Sequence, residues 1–453
     1  MTAASRPVAP PGTATGPAAG SDLLAAWRPG GFLMERGGAG VMAAGELHRL
    51  EIASGPGQVR RAAGLAEAAL SAAGTDLAVV TGALPFRGDA RAELVIPERV
   101  IVTSMAPRDL DLGAGGASRP SGDARGSLAR LGSGPPEAPI RPSHGGERFG
   151  GHPNARSGSL PRGPHQPPSP LRWRAEPSAA GYAQMVAEAI GRIRAGELEK
   201  VVLTRSLVAT NPGLDLAVLL AELRRRDPDC HLFAAPAAGG GAFVGATPET
   251  LVRREGARVL SVPLAGTAPR SSDPDEDRRL GDALLGSAKD RHEHAAVVEA
   301  IADALAPHCS ELRVDRQPYL MATATVWHLA TAVRGRLRRE APSALALAAA
   351  LHPTPAVCGT PTAAAEALIG RLEGSPRGLY AGLVGWMDGR GDGEWAVSLR
   401  CALITAGEVR IHAGAGIVDA SEPDLEVAET EVKFRTMIDA LEAATGPAAR
   451  ARG

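Results

Sequence analysis

Residues 112–170 constrain the fold more than any other stretch. Of these 59 positions 13 are Gly and 11 are Pro, and only Leu112, Leu128, Leu131, Ile140, Phe149 and Leu160 are large and apolar. A segment so poor in apolar side chains cannot offset its ordering entropy by burial, so it reads as a disordered insertion or long linker. The head (1–20) and the tail (446–453) read the same way. What is left to fold is 21–111, an N-terminal part, and 171–445, which carries nearly all the chemistry.

Within these blocks the apolar pattern alternates between two periods. VRRAAGLAEAALSAAG and YAQMVAEAIGRIRAGELE have helical spacing, whereas DLAVVTGALPF, AELVIPERVIV and KVVLTRSLVA look like strands. Toward the C-terminus LYAGLVGWM, EWAVSLRCALI and EVRIHAGAGIV are β-rich runs joined by the short turns DGRGDG and TAG, which predicts an antiparallel meander. Helices and strands are segregated rather than strictly alternating, so the fold class is α+β, not a doubly wound parallel sheet.

Composition narrows the function. With 49 Lys plus Arg against 50 Asp plus Glu, the chain has no strong net field, which argues against nucleic acid or a membrane surface as partner. No run approaches the ~18 apolar residues of a membrane span, and the first twenty residues lack the apolar core of an export signal. Cys230, Cys309, Cys358 and Cys401 are far apart without a CxxC pair, so the expected location is the reducing cytoplasm. Of the 49 basic residues 46 are Arg; the three lysines are Lys200, Lys289 and Lys433. Lys can lose its proton when buried and Arg cannot, which makes these three positions candidates for chemistry.

Two helical stretches present acids on one face. In SAKDRHEHAAVVEAIADAL, Asp290 and Glu293 continue the stripe of Val297 and Ile301. In SEPDLEVAETEVKFRTMIDAL, Ser421 is a candidate N-cap, and Glu422, Glu426, Glu429 and Lys433 share a face. Either helix alone reads equally as a solvated acidic face. Carboxylates that extend an apolar stripe need a partner, and an oxygen-rich set without Cys suits Mg²⁺. His292 and His294 flank Glu293 but diverge on a helix, so they are assigned supporting roles rather than zinc ligation. Lys200, opening the run EKVVLTR, and Glu249, in FVGATPETL, are a candidate base and acid, although a strand-edge cation and a structural acceptor explain them as well. An ordinary lysine is neutral in only ~1 part in 10³ at pH 7, so catalysis by Lys200 requires burial or nearby positive charge.

KVVLTR, FVGATPETL, PLAGT, AKDRHEH, LHPTPAVCGTP, GLYAGLVGW and GAGIV…ETEVK, in this order, resemble the chorismate-utilising enzymes, and specifically their isochorismate synthase branch. The resemblance covers most of 171–440, and FLMERGG and VTGALPF extend it to the N-terminal part. It implies large, mostly antiparallel sheets packed together with helices outside, and a Mg²⁺-dependent isomerisation of chorismate to isochorismate. It places Lys200 as the water-activating base and Glu249 as the general acid. Glu293 and Glu429 match Mg²⁺ ligands, and Asp290 and Glu426 reach the metal through water. Tyr380, Arg400, Lys433 and the backbone at Gly414 match the cradle of the enolpyruvyl carboxylate, Gly266 and Thr267 the ring pocket, and His328 an active-site histidine. Lys289 receives no role.

Three positions depart from the pattern: Cys358 replaces a small Gly or Ser and is expected to alter packing close to the ring, Leu383 replaces Pro, and Thr247 replaces Ser before Pro248. None removes a proposed catalytic group. Family members that use ammonia need no lysine base, so Lys200 speaks for water, and a monomer without an amidotransferase partner is expected. Salicylate synthase, which goes on to eliminate pyruvate, and a catalytically silent chorismate-binding protein are the competing readings. The sequence leaves open which pathway the product feeds: siderophore, menaquinone or another aryl acid.

Overall fold

The computed structural model describes residues 22–103 and 171–445; the expected head, insertion and tail lie outside the described residues. The two described blocks share their sheets. The larger sheet runs, in spatial order, through Gly359–Thr360, Lys200–Thr210, Glu408–Ile417, Cys401–Ile404, Gly241–Thr247, His231–Ala237, Phe32–Arg36, Ala39–Ala44 and Arg99–Thr103. Arg174–Glu176 pairs beside the Lys200 strand. The second sheet runs through Cys309–Val314, Val333–Leu337, Arg258–Val262, Thr250–Glu255, Gly393–Val397, Leu383–Asp388, Val79–Leu84, Ala92–Ile96 and His48–Ile52. A small third sheet joins Leu264–Pro269, Val326–Ala330 and Tyr319–Ala322. Strands of the N-terminal block pair with the catalytic block in both large sheets: Leu33 lies opposite Ala234, and Leu84 opposite Leu383.

One core lies between the large sheets and includes Met34, Phe233, Val384 and Trp395. A second covers the outer face of the larger sheet, where Leu219, Leu223, Phe434 and Met437 pack on Leu207, Val409 and Ile411. They belong to the helices Leu216–Arg226 and Pro423–Thr445. The long helix starts on Pro423, whose fixed φ suits the first turn. Ser421 is therefore one residue too early to be its N-cap, and its hydroxyl instead accepts the Val418 N–H at 3.1 Å. Asp290 and Glu293 lie on the helix Ala288–Leu305, whose first turn Ser287 caps through the Asp290 N–H at 3.2 Å. Among the described residues no helix is long and apolar enough to cross a membrane.

The C-terminal strands are not one meander. The run EWAVSLRCALI divides: Gly393–Val397 belongs to the second sheet and Cys401–Ile404 to the larger one, with the crossing at 398–400. Gly241–Thr247 and Thr250–Glu255 make the corresponding crossing at 248–249. The two crossings are tied together. The Ala246 N–H donates to Arg400 O at 3.1 Å, the Val397 N–H to Glu249 O at 3.1 Å, and Thr247 Oγ1 to Val397 O at 2.5 Å. Thr247 thus keeps the hydroxyl that a Ser would bring there.

Candidate active site

Alternation along two strands builds one wall of a cavity. The Lys200 and Glu408 strands pair over ten residues. Side chains at 201 and 203 go into the core, and Lys200, Val202, Thr204, Gly414 and Gly416 face the cavity. The two glycines make room: a Cβ on Gly416 would stand 3.0 Å from Lys200 Cε and 3.2 Å from Glu293 Oε1. The two crossings supply Glu249 and Arg400, the helices supply Asp290, Glu293, Glu426, Glu429 and Lys433, and the small sheet supplies Gly266, Thr267 and His328. Together with Tyr380 they surround one cavity that opens to solvent. Every site residue expected from the sequence lines this one cavity.

The electrostatics are set by burial. Glu249 is 2% exposed, and one of its carboxylate oxygens has no hydrogen-bond partner among the described residues. Desolvation pushes its carboxyl up to about 8, against the smaller downward pull of Arg400 and Lys200, so it is protonated at neutral pH. Lys200 Nζ donates to Glu293 Oε1 at 2.6 Å. Lys433 Nζ donates to Glu429 Oε1 at 2.5 Å and to Gly414 O at 2.9 Å. Burial, then the repulsion of Glu429, raises Glu426 to about 7.

His328 is held in one neutral form. Burial and the charges of Arg400 and Lys433 hold its pKa well below the usual range. Its Nδ1 is 3.1 Å from Gly266 O, which can only accept, so Nδ1 carries the hydrogen. Nε2 then accepts from Arg400 Nη2 at 3.2 Å. The irregularity between Ala265 and Thr267, at Gly266 with φ +74°, turns that carbonyl to the ring. Arg400 itself has φ 47°, and its buried Nε lacks a partner among the described residues. Tyr380 stacks on His412 at 5.1 Å, and burial pushes its phenol up to about 12.

The four acids expected to hold a metal line the walls of the cavity. Among the described residues no three acids, histidines or cysteines stand together as a ligand cluster. Their donor chemistry nevertheless suits a hard dication, being all carboxylate, and the repulsion from Glu429, which adds to burial in raising Glu426, is the kind that such a charge relieves. His294 is no competitor: it is buried, with Nε2 2.7 Å from Thr331 Oγ1, and desolvation lowers it to about 4. Cys358 is turned away from the cavity, its thiol 3.8 Å from Thr362 O, while its neighbour Val357 lines the wall. Leu383 is fully buried in its strand.

Sequence reasoning missed a buried pair, Arg377 and Glu373. Between its short partners Gly359–Thr360 and Arg174–Glu176, the outer edge of the Lys200 strand lacks a neighbour strand from Val202 O to the Thr204 N–H, the Val202 N–H still reaching Cys358 O at 2.8 Å. Glu373 Oε1 takes the Thr204 N–H at 2.9 Å, and Arg377 Nη2 donates to Val202 O at 2.6 Å. Arg377 also donates to Glu373 at 2.6 and 2.8 Å and to Val357 O at 2.7 Å, and lies 4.2 Å above the Phe86 ring. Its one readable sign was an acid and an Arg four residues apart, beyond the end of the helix Thr362–Leu372.

Residues 155–442 match the family model described as chorismate binding enzyme. The isochorismate synthase DhbC of Bacillus subtilis is 46% identical over 272 residues, 58% of this chain and 68% of that protein. The isochorismate synthase EntC of Escherichia coli is 45% identical over 267 residues, 59% of this chain and 68% of that protein. The crystal structure of DhbC from Bacillus anthracis is similar with a TM-score of 0.74 and 33% identity, covering 93% of this chain and 99% of that one.

Proposed function

We propose that this chain, which belongs to the chorismate-binding enzyme family, is an isochorismate synthase. The observation that carries this reading is a carboxyl kept protonated by burial, Glu249, in the same cavity as the amine of Lys200. Moving a hydroxyl from C4 to C2 of chorismate needs one proton removed from the attacking water and one given to the leaving oxygen, with the ring double bonds shifting between. Glu249 has the proton to give. Lys200 Nζ is committed to Glu293 Oε1, so it must give up both that carboxylate and a proton before its neutral amine can take a proton from water.

Arg400 offers its unpartnered Nε to the enolpyruvyl carboxylate, and Lys433, Tyr380 and the backbone at Gly414 complete that cradle. His328, in its Nδ1–H form, fixes the guanidinium. Glu293 and Glu429, with Asp290 and Glu426 behind them, would hold Mg²⁺, which would supply positive charge for the ring carboxylate. Water as nucleophile leaves no task for an amidotransferase partner, so the protein acts alone, as a monomer. The four cysteines, buried and unpaired, suit the cytoplasm.

Product analysis tests the reading. Chorismate with Mg²⁺ should give an equilibrium mixture of chorismate and isochorismate, with little pyruvate and no anthranilate in ammonium salts; EDTA should abolish turnover and Mg²⁺ restore it. Stoichiometric pyruvate with a fluorescent salicylate product would move the protein to salicylate synthase. Binding without turnover would make it a silent chorismate-binding protein.

A further inference from the structure

Five of the 49 basic residues line the cavity, and all three lysines are among them. A chain that places Arg at its other 46 basic positions therefore has Lys only at this site. Most of the cavity cations are already engaged: Lys200 with Glu293, Lys433 with Glu429, Arg377 with Glu373, and Arg400, through one nitrogen, with His328. Lys289 is different. It is exposed at the mouth, on the first turn of the helix Ala288–Leu305, and makes no hydrogen bond or ion pair among the described residues.

We propose that Lys289 is a substrate-binding residue, whose free ammonium adds its charge to that of Mg²⁺ at the carboxylate that Arg400 does not hold and so strengthens the site's preference for a dianion over a monoanion. This rests on the reading of the substrate as chorismate, a dicarboxylate. Charge alone does not explain why Lys stands here, because Arg supplies it at every basic position outside this cavity. The difference lies in the neighbours. Asp290, Glu293, Glu426 and Glu429 line the same cavity, and Lys289 is near enough to Glu426 to exert a downward pull on its carboxyl. A guanidinium fork matches a carboxylate in two hydrogen bonds and would be captured by one of these acids. The ammonium of Lys289 is not captured, although those of Lys200 and Lys433 are held by Glu293 and Glu429; exposed at the mouth, it stays hydrated and available.

The test measures binding and turnover of chorismate by the full-length protein, Lys289→Met and Lys289→Arg at low and high salt, with 2-phenoxyacrylate, which keeps the enolpyruvyl carboxylate and lacks the ring one, as the monoanionic probe. In low salt Lys289→Met should weaken chorismate binding and raise KM about three- to fivefold, the range of an exposed ion pair, with kcat within twofold. The gap should close at high salt as the charge is screened. 2-Phenoxyacrylate should bind both proteins alike, and Lys289→Arg should not regain wild-type affinity. Unchanged chorismate affinity in Lys289→Met, or equal losses in kcat and kcat/KM, overturns the proposal; full recovery in Lys289→Arg overturns the account of why Lys is needed. A wild type that neither binds nor converts chorismate overturns the functional reading and this proposal together.

Discussion

Glu249 shows how much a single carboxyl is asked to bear. In the unfolded chain it ionises near its ordinary 4.5, whereas in the fold it stays protonated up to about 8. Its folded pKa is raised, so its contribution to stability is fully present below 4.5 and is lost as pH rises toward 8. Replacing it with Gln removes that dependence. Glu249→Gln should lose about 10² to 10⁴ in kcat, the worth of a general acid, yet its Tm should exceed that of wild type by a margin that grows from pH 5 to pH 8. A margin constant across that range would mean that the carboxyl is not buried neutral. In wild type, kcat should fall as pH rises through about 8, where Glu249 loses the proton it donates. Lys200 admits a separate test, because Lys200→Arg keeps the charge and removes the ability to accept a proton. Its kcat should fall about 10²- to 10⁴-fold while chorismate still binds through Arg400 and Lys433. Near wild-type turnover would rule out Lys200 as the base.

At the scale of elements, what was legible followed from period. The helix Ala288–Leu305 shows its acids in register with Val297 and Ile301 because 3.6-residue spacing survives in the sequence, and the Lys200 strand shows as a continuous run rich in β-branched and apolar residues because both its faces are buried. The crossing at 398–400 was not legible, because Ser398, Leu399 and Arg400 include no Gly or Pro to mark a change of sheet, and Arg400 adopts φ 47° without being Gly. The Arg377–Glu373 bridge was hidden for another reason: its partners are backbone groups of a strand some 170 residues away. That bridge replaces the neighbour strand missing beside Val202 and Thr204, and so holds the strand that carries Lys200. Glu373→Gln leaves the buried guanidinium without a counter-charge and should destabilise the protein by about 3–5 kcal/mol, with kcat falling more than KM rises in the folded fraction. Denaturant unfolding and steady-state kinetics at a temperature where the variant is folded check this. A loss of stability with unchanged kcat would mean that the bridge holds the fold but not the position of Lys200.

The whole molecule departs from the picture of a catalytic domain with an N-terminal addition. Phe32–Arg36 is inserted into the larger sheet beside His231–Ala237, and Val79–Leu84 into the second beside Leu383–Asp388. Each of these strands is covered on one side by its own block and hydrogen-bonded on the other to a segment at least 170 residues distant in sequence. The sequence did show β-rich runs in both blocks, but partner choice depends on edges that exist only after the sheets form, so the interleaving could not be read from period or turn chemistry. Removing residues 22–103 would expose the flank of a strand in each large sheet and uncover Phe233 and Val384, which belong to the shared core. The joint therefore resides in sheet pairing and burial rather than in the covalent connection through 104–170. A protease site introduced within 104–170 allows this to be tested. After cleavage, the two fragments should co-elute on gel filtration under native conditions, separate only in denaturant, and convert chorismate within a few-fold of the intact chain, since every proposed site residue lies between 200 and 433. Fragments that separate without denaturant would show that the two blocks are independent, and that the registers Leu33 with Ala234 and Leu84 with Leu383 do not hold the protein together.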